Sequence, residues 1–260
     1  MTDVVKIGGG VIDSAEMLDS FCRDFAALPG PKILVHGGGK SAAQLQEALG
    51  MKPVKIEGRR VTDADTLKAV TMMYSGWCNK SIVATLQKYG CNAIGLSGCD
   101  ANVITAAKRA PKTLSDGVTV VDYGYVGDVT PASVDAGVLR ALLEAGLTPV
   151  LCAINHDGKG QLLNTNADTI ASSVAAAVHG RLICCFERKG VLRDKEDPDS
   201  VIPHIGPELY SELKAEGCVD AGMIPKIDGA MDALRAGAGS VVIKHSEDLL
   251  HDGGTTISLQ

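Results

Sequence analysis

Short apolar runs alternate with amphipathic helical patterns along almost the whole chain. This alternation constrains the fold more than any other feature, because it is the signature of a largely parallel sheet covered by helices. The strand-like runs are 4–7, 32–35, 93–96, 147–153, 181–186 and 240–243. Helical periodicity covers 15–27, 41–49, 64–89 (with a break expected near Gly76), 133–144, 169–179, 207–216 and 227–236. Gly180 and Gly237 stand where helix-ending glycines belong. Residues 103–129 read differently, as glycine-turned antiparallel hairpins decorating the sheet. No internal repeat or low-complexity linker interrupts the 260 residues, and the charged run 193–199 reads as a solvated loop. The expectation is one α/β domain spanning 1–260.

Composition removes several classes of function. Lys plus Arg of 25 against Asp plus Glu of 31 gives a net charge of −6, which disfavours bulk nucleic-acid binding, so an anionic ligand needs a local cluster of cations. No stretch nears the roughly 18 apolar residues of a membrane span, and no signal-peptide pattern opens the chain, which reads as cytoplasmic. Aromatics make up only 3%, leaving the core to aliphatic residues and alanine. The eight cysteines form no CxxC pair and no zinc-type spacing with the six histidines, so they read as reduced, buried thiols, and no residues are assigned to a metal. His36 reads as a strand-end residue.

The chemistry gathers at four strand-to-helix junctions, where open α/β sheets place their ligands. Lys6-Ile7-Gly8-Gly9-Gly10 closes the first strand with a cation and a loop whose backbone N–H groups can approach an anion. His36-Gly37-Gly38-Gly39-Lys40-Ser41 imitates the end of a P-loop but has Leu34 where that motif needs glycine. Its Gly37-x-Gly39-x-x-Ala42 does meet the dinucleotide fingerprint, with Glu57 about 20 residues on, so a Rossmann-type NAD(P)-dependent oxidoreductase is the rival reading. That rival leaves the loop at Lys6 unexplained. Asn164-Thr165-Asn166-Ala167-Asp168 leads into a small-residue helix. Either Asn166 or Asp168 could cap it, and the alternation would put three polar side chains on one side of an extended segment. Asp220-Ala221-Gly222-Met223-Ile224-Pro225-Lys226 places a lysine at a helix start, an unfavourable position unless an anion is shared there.

Taken in order, these residues resemble one family over essentially the whole chain: the amino-acid kinase superfamily, and within it the N-acetylglutamate kinases. Further carriers are Arg60-Val61-Thr62-Asp63, Asn79-Lys80, Gly95-Leu96-Ser97-Gly98-Cys99-Asp100 and Val126-Gly127-Asp128-Val129. The resemblance implies a three-layer αβα sandwich with a mainly parallel eight-stranded sheet. It also implies an acylglutamate lobe over about 1–170 and an ATP lobe over about 171–260.

By the same resemblance, Lys6, Asp168 and Lys226 are catalytic, with Asp168 orienting both lysines. Gly8 and Gly9 donate backbone N–H groups to phosphates. Glu187, Arg188, Lys189, Gly190, Val191, Leu192, Cys218, Val219 and Asp220 join Lys6 and Lys226 in holding ATP. Gly38, Gly39, Arg60 and Asn164 hold the acylated glutamate, Arg60 forking onto its α-carboxylate. Mg²⁺ arrives on the ATP phosphates. Glu187 departs from the family, which usually has aspartate there.

The implied reaction is ATP-dependent phosphorylation of the γ-carboxylate of N-acetyl-L-glutamate, a step of arginine synthesis. An N-succinyl acceptor fits the same motifs if extra room or a cation lies near Tyr123, Tyr125 or Lys55. With three residues before the first strand, the chain resembles the dimeric, arginine-insensitive members. A homodimer through the 64–89 region is expected, with Met72, Met73 and Trp77 in its interface.

Overall fold

The computed structural model describes every residue except Gly58, Ser115, Asp220 and Ala221. All six apolar runs read from the sequence are strands of one sheet: β1 Asp3–Ile7, β2 Lys32–His36, β3 Ala93–Leu96, β4 Thr148–Cys152, β5 Arg181–Phe186 and, after the short β6 His204–Ile205, β7 Ser240–His245. With β8 Thr255–Ile257 they form an eight-stranded sheet in the order β6-β8-β7-β5-β1-β2-β4-β3, parallel except where β7 meets β8. The edge strands β6 and β8 are two and three residues long, too short to carry a period. The order reverses around β1, which has β2 on one side and β5 on the other. The loops leaving these three strands therefore diverge and open a crevice, the switch point at which such sheets bind ligands.

Helices cover both faces. On one side α1 Gly9–Asp13, α2 Ala15–Ala27 and, later in the chain, Asn79–Lys88 bury Val5, Ile7, Leu34, Val150 and Ile183. The opposite face, carrying Val4, Ile33, Val35, Leu182 and Val241, lies under Ala167–Ala177 and Ile224–Arg235. Phe21 and Phe25, two of the chain's few aromatics, stack at 5.9 Å within the α2 layer. Numbered in chain order, the remaining helices are α3 Ser41–Ala48, α4 Ala64–Thr71, α5 Asn79–Lys88, α6 Ala136–Glu144, α7 Ala167–Ala177, α8 Pro207–Ala215 and α9 Ile224–Arg235.

Two local expectations change. The break predicted near Gly76 is absent: α4 runs into α5 through a π-helical stretch, Met72–Cys78, which absorbs the glycine without stopping the chain. The segment 164–168 is not extended throughout. Asn164 ends the short strand Leu162–Asn164, and Asn166 already caps α7 through its Oδ1, accepting from Asp168 N (2.7 Å) and Thr169 N (3.4 Å). The hairpins expected in 103–129 are there, as Ala107–Lys108 paired with Gly127–Asp128 and Lys112–Thr113 paired with Val120–Val121.

Candidate active site

Side chains alternate across a strand, so Lys6 emerges on the Val4 face of β1, beneath α7. Asp168 sits in the first turn of α7, and its Oδ1 lies 2.7 Å from Lys6 Nζ. The lysine is buried, at 9% exposure, whereas the Asp168 side chain is 52% exposed. Burial is the largest influence on Lys6 and works against its charge, but the adjacent carboxylate outweighs it and leaves the pKa raised. Asp168 mirrors this: desolvation pushes its pKa up, and the charges of Lys6 and Lys226 with the Lys6 hydrogen bond bring it below the ordinary value. Lys226, on the first turn of α9, has its Nζ 5.5 Å from the centre of the Phe186 ring. These three groups line one cavity of about 570 Å³, together with Cys184, Phe186, Gly222 and Pro225.

The two glycine loops meet. A Cβ on Gly9 would lie 2.5 Å from the Gly39 Cα, so the close approach of the backbones requires glycine. Gly39 has φ +54°, and a side chain there would also run into the Asp13 carboxylate. That carboxylate accepts from Lys40 N (2.8 Å), Ser41 N (3.3 Å) and Ser41 Oγ (2.7 Å), supplying α3 with the cap that its own N-cap residue does not. Asp13 thus joins the end of α1 to the second loop. No local motif marks it, since its partners lie 27 and 28 residues away.

One assignment needs correction. Gly8 N–H donates to Cys185 O at 3.1 Å, extending the β1–β5 pairing one residue past the strand, and so is not open to a phosphate.

His36 at the end of β2 is fully buried. Asn79 Nδ2 lies 3.0 Å from its Nε2 and can only donate, so Nδ1 carries the hydrogen and donates to Gly37 O at 2.7 Å. Burial drives its pKa down to about 4, and the ring stays neutral at physiological pH as a brace for the loop. Glu57, the acidic residue of the rival dinucleotide pattern, lies instead on a small antiparallel hairpin, with Lys112 Nζ 3.5 Å from its carboxylate.

A second cavity, of about 220 Å³, is lined by Gly39, Arg60 and Asn164, three of the four residues assigned to the acyl substrate, and by Lys55, Arg59, Tyr74 and Arg109. Asn164 Nδ2 donates to Thr62 Oγ1 at 3.0 Å. Arg60 donates to Gln46 Oε1 and also hydrogen-bonds the Tyr74 side chain. Gly38, the fourth, faces the Tyr74 ring, which fills the space a side chain would need. Arg109 grips Asp128 from its Nε at 3.1 Å to each carboxylate oxygen. Tyr74 went unread in the sequence, although a buried tyrosine in a chain with so few aromatics is itself a signal.

The nucleotide assignments divide. Glu187 packs against Gly10, so it adjoins the first loop. Arg188 and Lys189 are exposed, Lys189 paired with Asp199 at 2.6 Å. Val191, Leu192 and Val219 are buried at 1%, 8% and 6% exposure, and their side chains pack in the core. Gly190 is buried against Thr255 and Val201, and Cys218 is half-buried. None of these lines the larger cavity, and Asp220 lies outside the described residues. Five cysteines are buried as expected, but Cys184 and Cys218 are half-buried and Cys99 is exposed.

A family model described as the amino acid kinase family matches residues 1–245. The acetylglutamate kinase of Cytophaga hutchinsonii is 51% identical over 251 residues, 95% of this chain and 92% of that protein. That of Phocaeicola vulgatus is 48% identical over 258 residues, 98% and 97% of the two. Among solved structures, smu.665 from Streptococcus mutans UA159 aligns over 100% of this chain and 99% of its own, with a TM-score of 0.76 and 30% identity. A match from residue 1 to 245 takes in every strand and loop that surrounds the crevice, and on that extent the chain belongs to the amino acid kinase family.

Proposed function

We propose that this chain transfers the γ-phosphoryl group of ATP to the γ-carboxylate of N-acetyl-L-glutamate, giving ADP and N-acetyl-L-glutamyl 5-phosphate for arginine synthesis. The observation that carries the reading is the junction of two cavities. The larger holds the Lys6–Asp168 pair and Lys226, and the smaller, rich in cations, adjoins it through the shared lining residues Arg59 and Asn166. An ionised carboxylate, with reference pKa near 4.3, needs no general base, and the neutral, doubly hydrogen-bonded His36 offers none. What remains is to position two anions and to neutralise charge on the phosphoryl oxygens, which Lys6, Lys226 and the N–H groups of the loops supply.

Mg²⁺ enters on the nucleotide's phosphates. The nearby carboxylates are engaged by the protein: Asp168 with Lys6, Asp228 with Tyr210 and Lys214, Asp232 with Arg235. The enzyme acts in the cytoplasm as a homodimer through the 64–89 region, where Met72 is 55% and Trp77 71% exposed and Met73 is half-buried. No helix of the described residues is long and apolar enough to cross a membrane. An N-succinyl acceptor is not favoured, because the relatives described above carry the name acetylglutamate kinase.

Incubation with ATP, Mg²⁺ and N-acetyl-L-glutamate in the presence of hydroxylamine tests the reading. Hydroxamate forming with the acetyl substrate, and much more slowly with N-succinylglutamate or free glutamate, is the expected outcome. No hydroxamate with any acceptor overturns it.

A further inference from the structure

The residue next to the assigned Arg60 has no place in the family motifs, yet its side chain lines both cavities. Arg59 and Arg60 form one strand of the hairpin paired with Lys55–Ile56; both line the smaller cavity, and Arg59 alone of the two also lines the larger. Arg60 is occupied by Gln46 and Tyr74. Arg59 is exposed, and among the described residues it has no carboxylate partner.

A charge inventory gives that position its meaning. In the larger cavity the Lys6 ammonium is matched by Asp168, and Asp228 and Asp232 are matched by Lys214 and Arg235. In the smaller one Arg109 is matched by Asp128. Among the described residues, Lys55, Arg59, Arg60 and Lys226 of these cavities have no ion-paired carboxylate; Lys226 lies on the nucleotide side, Lys55 and Arg60 line the smaller cavity, and Arg59 alone of the four lines both.

Resting on the function proposed above, we infer that Arg59 is a third phosphoryl-facing cation, reaching the transferring group from the acceptor side. In the reaction a γ-carboxylate oxygen forms a bond to the γ-phosphorus. The bond from that phosphorus to the β,γ-bridging oxygen breaks, its electron pair leaves on ADP, and no proton moves. Attacking and leaving oxygens lie roughly in line, so the three equatorial oxygens pass the plane between the two sites, where two anions approach each other. A planar guanidinium at that plane offers forked donors to two of those oxygens and offsets the repulsion. Its contribution is greatest in the transition state, so it acts on kcat rather than on either KM.

Steady-state kinetics, nucleotide titration and melting curves on the full chain with Arg59→Ala and Arg59→Lys provide the test. Arg59→Ala is expected to lose about tenfold to a hundredfold in kcat, with both KM values and the nucleotide Kd within about threefold of wild type. Its melting temperature stays near that of wild type, since an exposed side chain with no ion-paired carboxylate among the described residues contributes little to stability. Added guanidinium ion restores part of the lost rate, and Arg59→Lys falls between wild type and Arg59→Ala. An unchanged kcat overturns the inference, as does a rise confined to the acceptor KM, which would make Arg59 a substrate-holding group. Wild-type protein that forms no hydroxamate overturns the underlying reaction, and this inference with it.

Discussion

Replacing Asp168 with Asn removes one charge from the centre of the proposed site while keeping the size of the side chain. Asn166 Oδ1, not Asp168, caps α7, so the helix start is retained. What is lost is the partner of Lys6 at 2.7 Å. Removing one member of a fully buried pair costs about 3–5 kcal/mol, but the Asp168 side chain is 52% exposed and water screens it, so about 1–2 kcal/mol is the better figure. For a chain of this size that corresponds to a drop of roughly 2–8 °C in melting temperature. Catalysis should suffer more. Without the carboxylate, nothing comparable offsets burial at Lys6, its pKa falls, and the ammonium no longer has a fixed position. We expect kcat to drop on the order of a hundredfold, about 2.7 kcal/mol, with both substrates bound within about tenfold of wild type.

The pH dependence discriminates further. Because the Asp168 pKa is lowered, its stabilisation is present above the ordinary carboxylate value and fades as pH falls through the depressed one. The raised pKa of Lys6 keeps its contribution below the ordinary lysine value, to be lost as pH climbs through the raised one. The wild-type pair therefore stays intact from about pH 5 to about pH 9.5. The Asp168→Asn variant should lose its residual rate earlier on the alkaline side. A variant with near-full kcat, or one whose rate recovers as pH rises, would refute the reasoning, the latter by pointing to a general base.

Arg60→Lys should raise the KM for N-acetylglutamate roughly tenfold while leaving that for ATP within about threefold, because an ammonium cannot fork onto a carboxylate; equal rises would reduce Arg60 to a loop support. Gly39→Ala forces a side chain into φ +54° and against Asp13, a strain of about 1–2 kcal/mol, and should weaken acceptor binding about tenfold by isothermal titration; unchanged binding would detach the loop from the acceptor. His36, held neutral with a pKa of about 4, makes the unfolded chain the better proton binder below about pH 6.5. Stability is therefore lost as pH falls from there toward 4, by up to about 3 kcal/mol, and urea titrations should give a shallower decline for His36→Gln than for wild type. Parallel declines would mean the ring charges in the folded state.

The sequence was most legible where one strong period covers many residues. All six sheet strands with apolar runs lie where alternation put them, and β5 matches its run at both ends. The β6 and β8 edges escaped because two or three residues hold no pattern. At the site, the pairing of Lys6 with Asp168 follows from the family resemblance and not from spacing, since the residues lie on separate elements that the fold brings together. Gly8 was misread because sheet pairing continues one residue beyond the strand, to Cys185 O, a contact 177 residues away in the chain. Asp13 and Tyr74 stayed hidden for the same reason, since their partners in the second loop are brought to them by packing and not by spacing. Only the resemblance marks Val191 and Val219 as nucleotide contacts; their burial, which no short pattern announces, comes from packing.

The most direct measurement follows the oxygen that attacks phosphorus. N-acetyl-L-glutamate labelled with ¹⁸O in both γ-carboxylate oxygens is incubated with ATP, Mg²⁺ and hydroxylamine, and the released phosphate is analysed by mass spectrometry. Direct attack by the γ-carboxylate makes one labelled oxygen the bridge of the acyl phosphate. Hydroxylamine then cleaves the bond from that bridge to the acyl carbon. Phosphate carrying one ¹⁸O atom per molecule, formed in step with the hydroxamate, is the predicted result. Unlabelled phosphate would mean that water, not the carboxylate, takes the phosphoryl group, and would contradict the account.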